Sequence, residues 1–183
     1  MNPGRRSGVL YVVASAAGPV PGIPAVITAA QRRGWDVCLI LTPTAARWLA
    51  AETEELARLC GHPVRSAYKL PGEPDVLPPP DAVLAAPATF NTVNKWAAGI
   101  SDTLALGLIN EAIGMGIPVA VVPWVHGPLA AHPALAASLE RLRGAGVAVL
   151  DAAGQEAAGP GLPAGGVPRF DTYPWERALD VLG

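Results

Sequence analysis

Residues 86–102 read APATFNTVNKWAAGISD and set Thr89, Asn91 and Thr92 within four positions, with Lys95 one turn further on. Hydroxyl and amide groups this close together can grip a polar, flat or phosphorylated ligand, because a hydroxyl donates to phosphate oxygens and a carboxamide both donates and accepts. Any one of the three caps a helix that starts here. Capping needs a single side chain, so the others are either ligand contacts or spare polar residues. A second place with such chemistry is SAAGPVPG, 15–22, where Ser15 and two glycines precede a helix. Exposed N–H groups and the helix dipole favour an anion there by about 0.3–1 kcal/mol for the dipole alone. An ordinary Gly/Pro turn accounts for the same residues, and the spacing is not the G-x-G-x-x-G dinucleotide fingerprint. Thr42 and Thr44 flank Pro43; one caps the next helix and the other is left for a ligand.

These residues need elements to carry them. GVLYVVAS (8–15), DVCLILT (36–42), DAVLAA (81–86), PVAVVP (118–123) and VAVLD are continuous apolar, β-branched runs, the pattern of strands covered on both faces. PVRSAY (63–68) reads as a further short strand. Between them lie helical patterns: one from Gly22–Pro24 to Gly34, one amphipathic helix over 43–61, one over 102–116, one over 133–146, and a closing helix over 175–183. KLPGEPDVLPPP and the Gly/Pro-rich stretch after Asp151 are irregular. Strands alternating with helices predict an α/β domain, a parallel sheet with helices on both faces, over 1–183 as a single domain. Ligands of such sheets bind beyond the carboxyl ends of the strands. The loops 15–22, 42–44, 86–92 and 123–132 all fall there.

Composition narrows the function classes. Only 15% of residues are charged and the net charge is −2, with short basic pairs such as Arg5-Arg6, so no nucleic acid and no anionic membrane surface is expected as a partner. Apolar runs fall far short of the roughly 20 residues that span a bilayer. MNPGRRSGVLYVVASAAG imitates a signal peptide, yet its density of Val and Tyr and the helix that follows favour a first strand. Cys38 and Cys60 have no C-x-x-C or metal spacing. A reducing, cytoplasmic setting is expected, and neither thiol is expected to be a nucleophile.

The segment APATFNTVNKWAAGISDTL resembles the P-A-S-A-N-T-x-x-K-x-A-x-G-x-x-D segment of the homo-oligomeric flavin-containing cysteine decarboxylases. That family includes phosphopantothenoylcysteine decarboxylases and enzymes that decarboxylate C-terminal cysteines of lantibiotic-type peptides. Ala86, Pro87, Ala88, Thr89, Asn91, Thr92, Lys95, Ala97, Gly99 and Asp102 fall in register. GWDVCLILTPTAARWL, VPWVHGPLAAHPALAASLERLRGAGV and AGPGLPAGGVPRF resemble further family segments in the same order. The resemblance implies a three-layer Rossmann-like (flavodoxin-like) fold, bound FMN, and assembly as a homotrimer or homododecamer with the cofactor at a subunit interface. It also implies a small-molecule or C-terminal cysteine peptide substrate, whose thiol the flavin oxidises before CO2 leaves. Ser15, Ala16 and Ala17 lie where the family has its phosphate loop, Thr42 matches the hydroxyl after the second strand, and Ala88, Thr89, Asn91 and Thr92 match the flavin-contacting cluster.

The chain departs from the family at the reacting groups. The family's histidine, before a W-A-D segment, falls near Glu73; Asp81 matches the aspartate, but Pro79-Pro80 replace W-A. The family's carboxylate-gripping asparagine aligns with His126. Glu73 could act as a base, although a carboxylate facing a substrate carboxylate repels it. His126 could supply a proton or bind an anion near neutral pH, or be a loop histidine bonded to backbone. His132, beside Pro133, reads as a helix-start residue, and His62 as a turn residue. Trp124 could stack on a flavin or serve the core or a subunit contact; Trp96 reads as an interface residue. The expected function is a flavin-dependent oxidoreductase resembling decarboxylases. The alternative is a non-decarboxylating FMN-binding regulatory or accessory protein.

Overall fold

A computed structural model of the chain describes residues 8–125, 127–151 and 173–183. Among them five strands form one parallel sheet: β1 (Val9–Ala14), β2 (Asp36–Leu41), β3 (Ala82–Ala88), β4 (Val119–Pro123) and β5 (Ala148–Val149). Their spatial order is β2-β1-β3-β4-β5, the flavodoxin-like order of a doubly wound sheet. Alternate residues of each strand serve opposite layers, as the two-residue period requires. Leu10, Val12, Leu39, Leu84 and Val122 pack under α1 (Ile23–Arg32), α3 (Thr53–Cys60) and α7 (Trp175–Leu182). Tyr11, Val13, Ile40, Val83 and Val121 pack under α4 (Phe90–Ala97), α5 (Leu104–Gly114) and α6 (Pro133–Gly144). Both faces are therefore covered, and that is why the strands read as unbroken apolar runs.

Four local expectations are corrected. The single helix expected over 43–61 is two, α2 (Pro43–Trp48) and α3. The Thr53 hydroxyl donates to the Leu49 carbonyl at 2.9 Å and the Glu52 amide reaches the same oxygen at 3.1 Å, which tightens and ends the first helix. The strand expected over 63–68 is a lone bridge between Ile40 and Arg65; the prolines that follow supply no N–H to extend a ladder. β3 continues past Ala86 to Ala88, through a cis Ala86–Pro87 bond and a register shift against β4. The helix expected from 102 starts at Leu104, because Thr103 caps it by accepting from the Leu106 amide at 3.3 Å. The chain leaves α4 through Gly99 at φ +71°, a left-handed conformation that glycine adopts without strain. The Gly/Pro-rich stretch 152–172, with AGPGLPAGGVPRF in it, lies outside the described residues.

Candidate functional site

β1 and β3 are neighbours, and from them the chain turns to opposite sides, to β2 and to β4. A crevice opens at the carboxyl ends of strands where the order reverses in this way. Backbone bonds tie the loops there into one surface. The Ser15 amide donates to the Pro87 carbonyl at 2.8 Å, the Thr42 amide to Ala14 at 2.9 Å, and the Trp124 amide to Ala88 at 2.8 Å. Residues 15, 42, 88 and 124, distant in sequence, thus meet at one edge of the sheet.

Three hydroxyls form a chain in this crevice. Ser15 Oγ lies 2.8 Å from Thr92 Oγ1, and Thr92 Oγ1 lies 3.1 Å from Thr89 Oγ1. Thr89 also caps α4, accepting from the Thr92 amide at 3.3 Å. Three hydroxyls carry three protons, and two links use two of them, so one O–H remains to donate outward. Ser15 and Thr92 are only 2% and 5% exposed, where an unmatched donor is costly. The arrangement favours a ligand that brings an acceptor.

The β1 loop adds three more donors. The amides of Ala16, Ala17 and Gly18 bond to no acceptor among the described residues. Beyond them Val20 donates to Ala17 and Gly22 to Pro19, closing the 3-10 turn η1 (Val20–Gly22) that leads into α1. Consecutive free N–H groups at a helix lead-in form a concavity for an anion. Residues 15–24 carry no charged side chain, so any hold on an anion comes from backbone amides. This donor set fits a phosphate.

The remaining expected residues separate. Ala88 ends β3 inside the cluster and is buried. Asn91 stands exposed on the first turn of α4, with a side-chain amide that bonds to no described residue. Thr42 caps α2, accepting from the Ala45 amide at 3.4 Å, while Thr44 accepts from the Arg47 guanidinium at 3.1 Å; the spare hydroxyl expected of this pair is thus engaged locally. Lys95 is spent on an ion pair with Asp102. Glu73 is exposed and accepts from the Leu70 amide at 2.8 Å within its own turn, sharing no hydrogen bond with the described residues of the carboxyl-end loops. Asp81 sits at the opposite, amino end, where its carboxylate accepts from the Val9 amide at 2.8 Å. His126 lies outside the described residues. His132 caps α6 through Nδ1, accepting from the Ala134 amide at 3.1 Å, and His62 pairs with Asp36 at the amino end of β2.

Two tryptophans also find their places. Trp96, expected at an interface, is 1% exposed in the core beneath α4, since an indole there fills the gap between α4 and its layer. Trp124 packs beside Gly18 and Tyr173. Tyr173 was not legible as a site neighbour; it is buried, and its hydroxyl donates to the Val122 carbonyl at 2.6 Å. Only its place in a run of two aromatics around Pro174 could have drawn attention to it. A separate cavity of about 400 Å3, between the 65–79 connection and α5, is floored by Tyr11 and holds none of the carboxyl-end residues. Burial pushes the Cys38 thiol up to about 12 and the Cys60 thiol up to about 11, so neither is a ready nucleophile.

Known proteins share this fold. The profile of the family described as Flavoprotein matches residues 4–162. A coenzyme A biosynthesis bifunctional protein of Thermococcus kodakarensis is 34% identical over 71 residues, which make up 39% of this chain and 17% of that protein. The chain spans under a fifth of the length of the curated relatives it matches. Among solved structures, the FMN-dependent cysteine decarboxylase SpaF superposes with a TM-score of 0.71 at 16% identity, covering 97% of this chain and 98% of that one. The FMN-dependent cysteine decarboxylase TvaF, from thioviridamide biosynthesis, superposes at 0.64 with 25% identity, covering 78% and 88%. The SpaF likeness is one of fold.

Proposed function

The chain belongs to the flavoprotein family, and on that premise we propose that it binds FMN at the carboxyl edge of β1 and β3. The observation that carries this reading is the row of free amides at Ala16, Ala17 and Gly18 beside the Ser15–Thr92–Thr89 hydroxyl chain. The amides would receive the phosphate, and the hydroxyl chain with Asn91 would meet the polar edge of the flat ring. Thr42, at the adjoining strand end, keeps its hydroxyl proton for donation. Bound there, the flavin would supply two-electron oxidation of a small or peptide-borne thiol. In this reading His126 and Glu73 are the candidates for moving protons to and from that substrate. A homotrimer or homododecamer and a reducing, cytoplasmic setting belong to the same proposal; the two buried, unpaired thiols support the latter.

Glu73 favours a second reading. Its carboxylate is engaged in its own exposed turn and so is not held ready as a base, which suits an FMN-binding accessory protein that does not decarboxylate. One series of experiments separates the readings. Purified protein mixed with FMN should hold the yellow chromophore through gel filtration, and a colourless product removes both. Asn91→Ala should then weaken FMN binding while leaving thermal stability unchanged, since the side chain is exposed and unbonded. Anaerobic incubation with a peptide ending in cysteine should bleach the flavin and remove the mass of CO2; an unchanged peptide selects the accessory role.

A further inference from the structure

Loop 15–22 is pressed upon by aromatic rings from distant parts of the chain. A Cβ at Gly18 would lie 3.1 Å from the Trp124 indole, and one at Gly22 would lie 2.5 Å from Trp175 Nε1. Neither glycine has positive φ, and Gly22, at φ −82° and ψ −3°, has a conformation open to any residue. Glycine is needed at 22 for the approach of the ring and for no backbone reason. Tyr173 joins the two indoles, with ring centroids 5.7 Å from Trp124 and 4.5 Å from Trp175, and its hydroxyl is anchored on the Val122 carbonyl. α7 is fastened in turn to the far end of α1. Arg33 donates to the Glu176 carbonyl at 3.0 Å and pairs with the carboxylates of Glu176 and Asp180, each at 2.8 Å.

Resting on the reading that this loop receives a phosphate, we infer that Trp124, Tyr173 and Trp175 are positioning residues for that phosphate. They form a brace that holds in place the loop carrying the free amides of Ala16, Ala17 and Gly18. The loop has no cationic side chain, so amide direction alone decides its affinity for an anion, and a small shift of backbone misdirects several donors together. The C-terminal helix thereby governs recognition of the mononucleotide at a loop more than 150 positions earlier in the chain.

The test compares FMN with riboflavin, which lacks the phosphate, by fluorescence titration of the wild-type protein, Gly22→Ala, Trp175→Leu and the double variant. Each single variant should weaken FMN binding about tenfold, the worth of one charge-assisted hydrogen bond, and riboflavin binding by less than about twofold. The double variant should lose no more than Trp175→Leu alone, because the added methyl then has no ring to displace. A merely structural contact would lower affinity for both flavins together, and that result, or an unchanged FMN-to-riboflavin ratio, overturns the inference. Equal affinity of the wild-type protein for the two flavins overturns it while leaving flavin binding intact. Failure to bind either flavin sinks the underlying reading instead. Should Trp175→Leu not fold, Gly22→Ala and Tyr173→Phe carry the same comparison.

Discussion

Cys38 and Cys60 show how burial alone assigns a role to a reactive side chain. Both thiols are driven up from the ordinary value of 9, Cys38 to about 12 and Cys60 to about 11, first by desolvation. Desolvation also lifts Tyr11, whose hydroxyl donates to the Pro78 carbonyl, from 10 to about 12. A group held protonated in the fold but free to ionise when unfolded stabilises the native state fully at low pH and loses that contribution as pH rises. The melting temperature should therefore hold below about pH 9 and fall between about 9 and 12, and Cys38→Ala should flatten that decline in a pH series of thermal melts. A thiol reagent at pH 8 should label neither cysteine in the native protein and both in denaturant. The hydroxyls of Ser15 and Thr92 are the opposite case, buried and polar, and retained through mutual bonding.

At the level of elements, four helices among the described residues begin on a capping side chain: Thr42, Thr89, Thr103 and His132. Caps at 42–44 and 89–92 were visible in the sequence and that of Thr103 was not, and the pattern could not say which threonine does more than cap. Thr103 bonds only to its own helix, whereas Thr89 also reaches Thr92 and, through it, Ser15. Thr103→Ala should cost about 1 kcal/mol in urea unfolding with FMN affinity intact. Thr89→Ala should cost a similar amount and weaken FMN as well, and equal flavin affinity in the two variants would place Thr89 outside the site. The split between α2 and α3 escaped the helical pattern because apolar spacing continues across 49–52 while a single hydroxyl, that of Thr53, takes the carbonyl the helix needed.

For the whole molecule, the sheet's coverage on both faces leaves its carboxyl edge as the place where loops converge, and exposed apolar side chains remain elsewhere on the surface. Trp48, Tyr68 and Leu70 are each more than half exposed, the kind of surface that subunit contacts cover. Light scattering should give a trimer or a dodecamer, and the mass of a single chain would remove the oligomer from the proposal. Among the described residues no helix is long and apolar enough to cross a membrane.

Strand and helix periodicity by themselves determined the α/β class, the parallel sheet and the four loops at its carboxyl ends, because burial on both faces writes itself into the chain as uninterrupted apolar runs. The polar cluster at 89–92 was equally plain, since hydroxyls and amides that close together exceed what a cap requires. Only the tertiary structure decided which groups were left over. It engaged Thr44, Lys95 and His132 with local partners, put Glu73 in its own exposed turn, and moved Trp96 from an expected interface into the core. It also brought Trp124 and Trp175 against the first loop, with Tyr173 between them. Such pairings depend on which distant residues arrive at the same edge of the sheet, and local pattern carries no record of them.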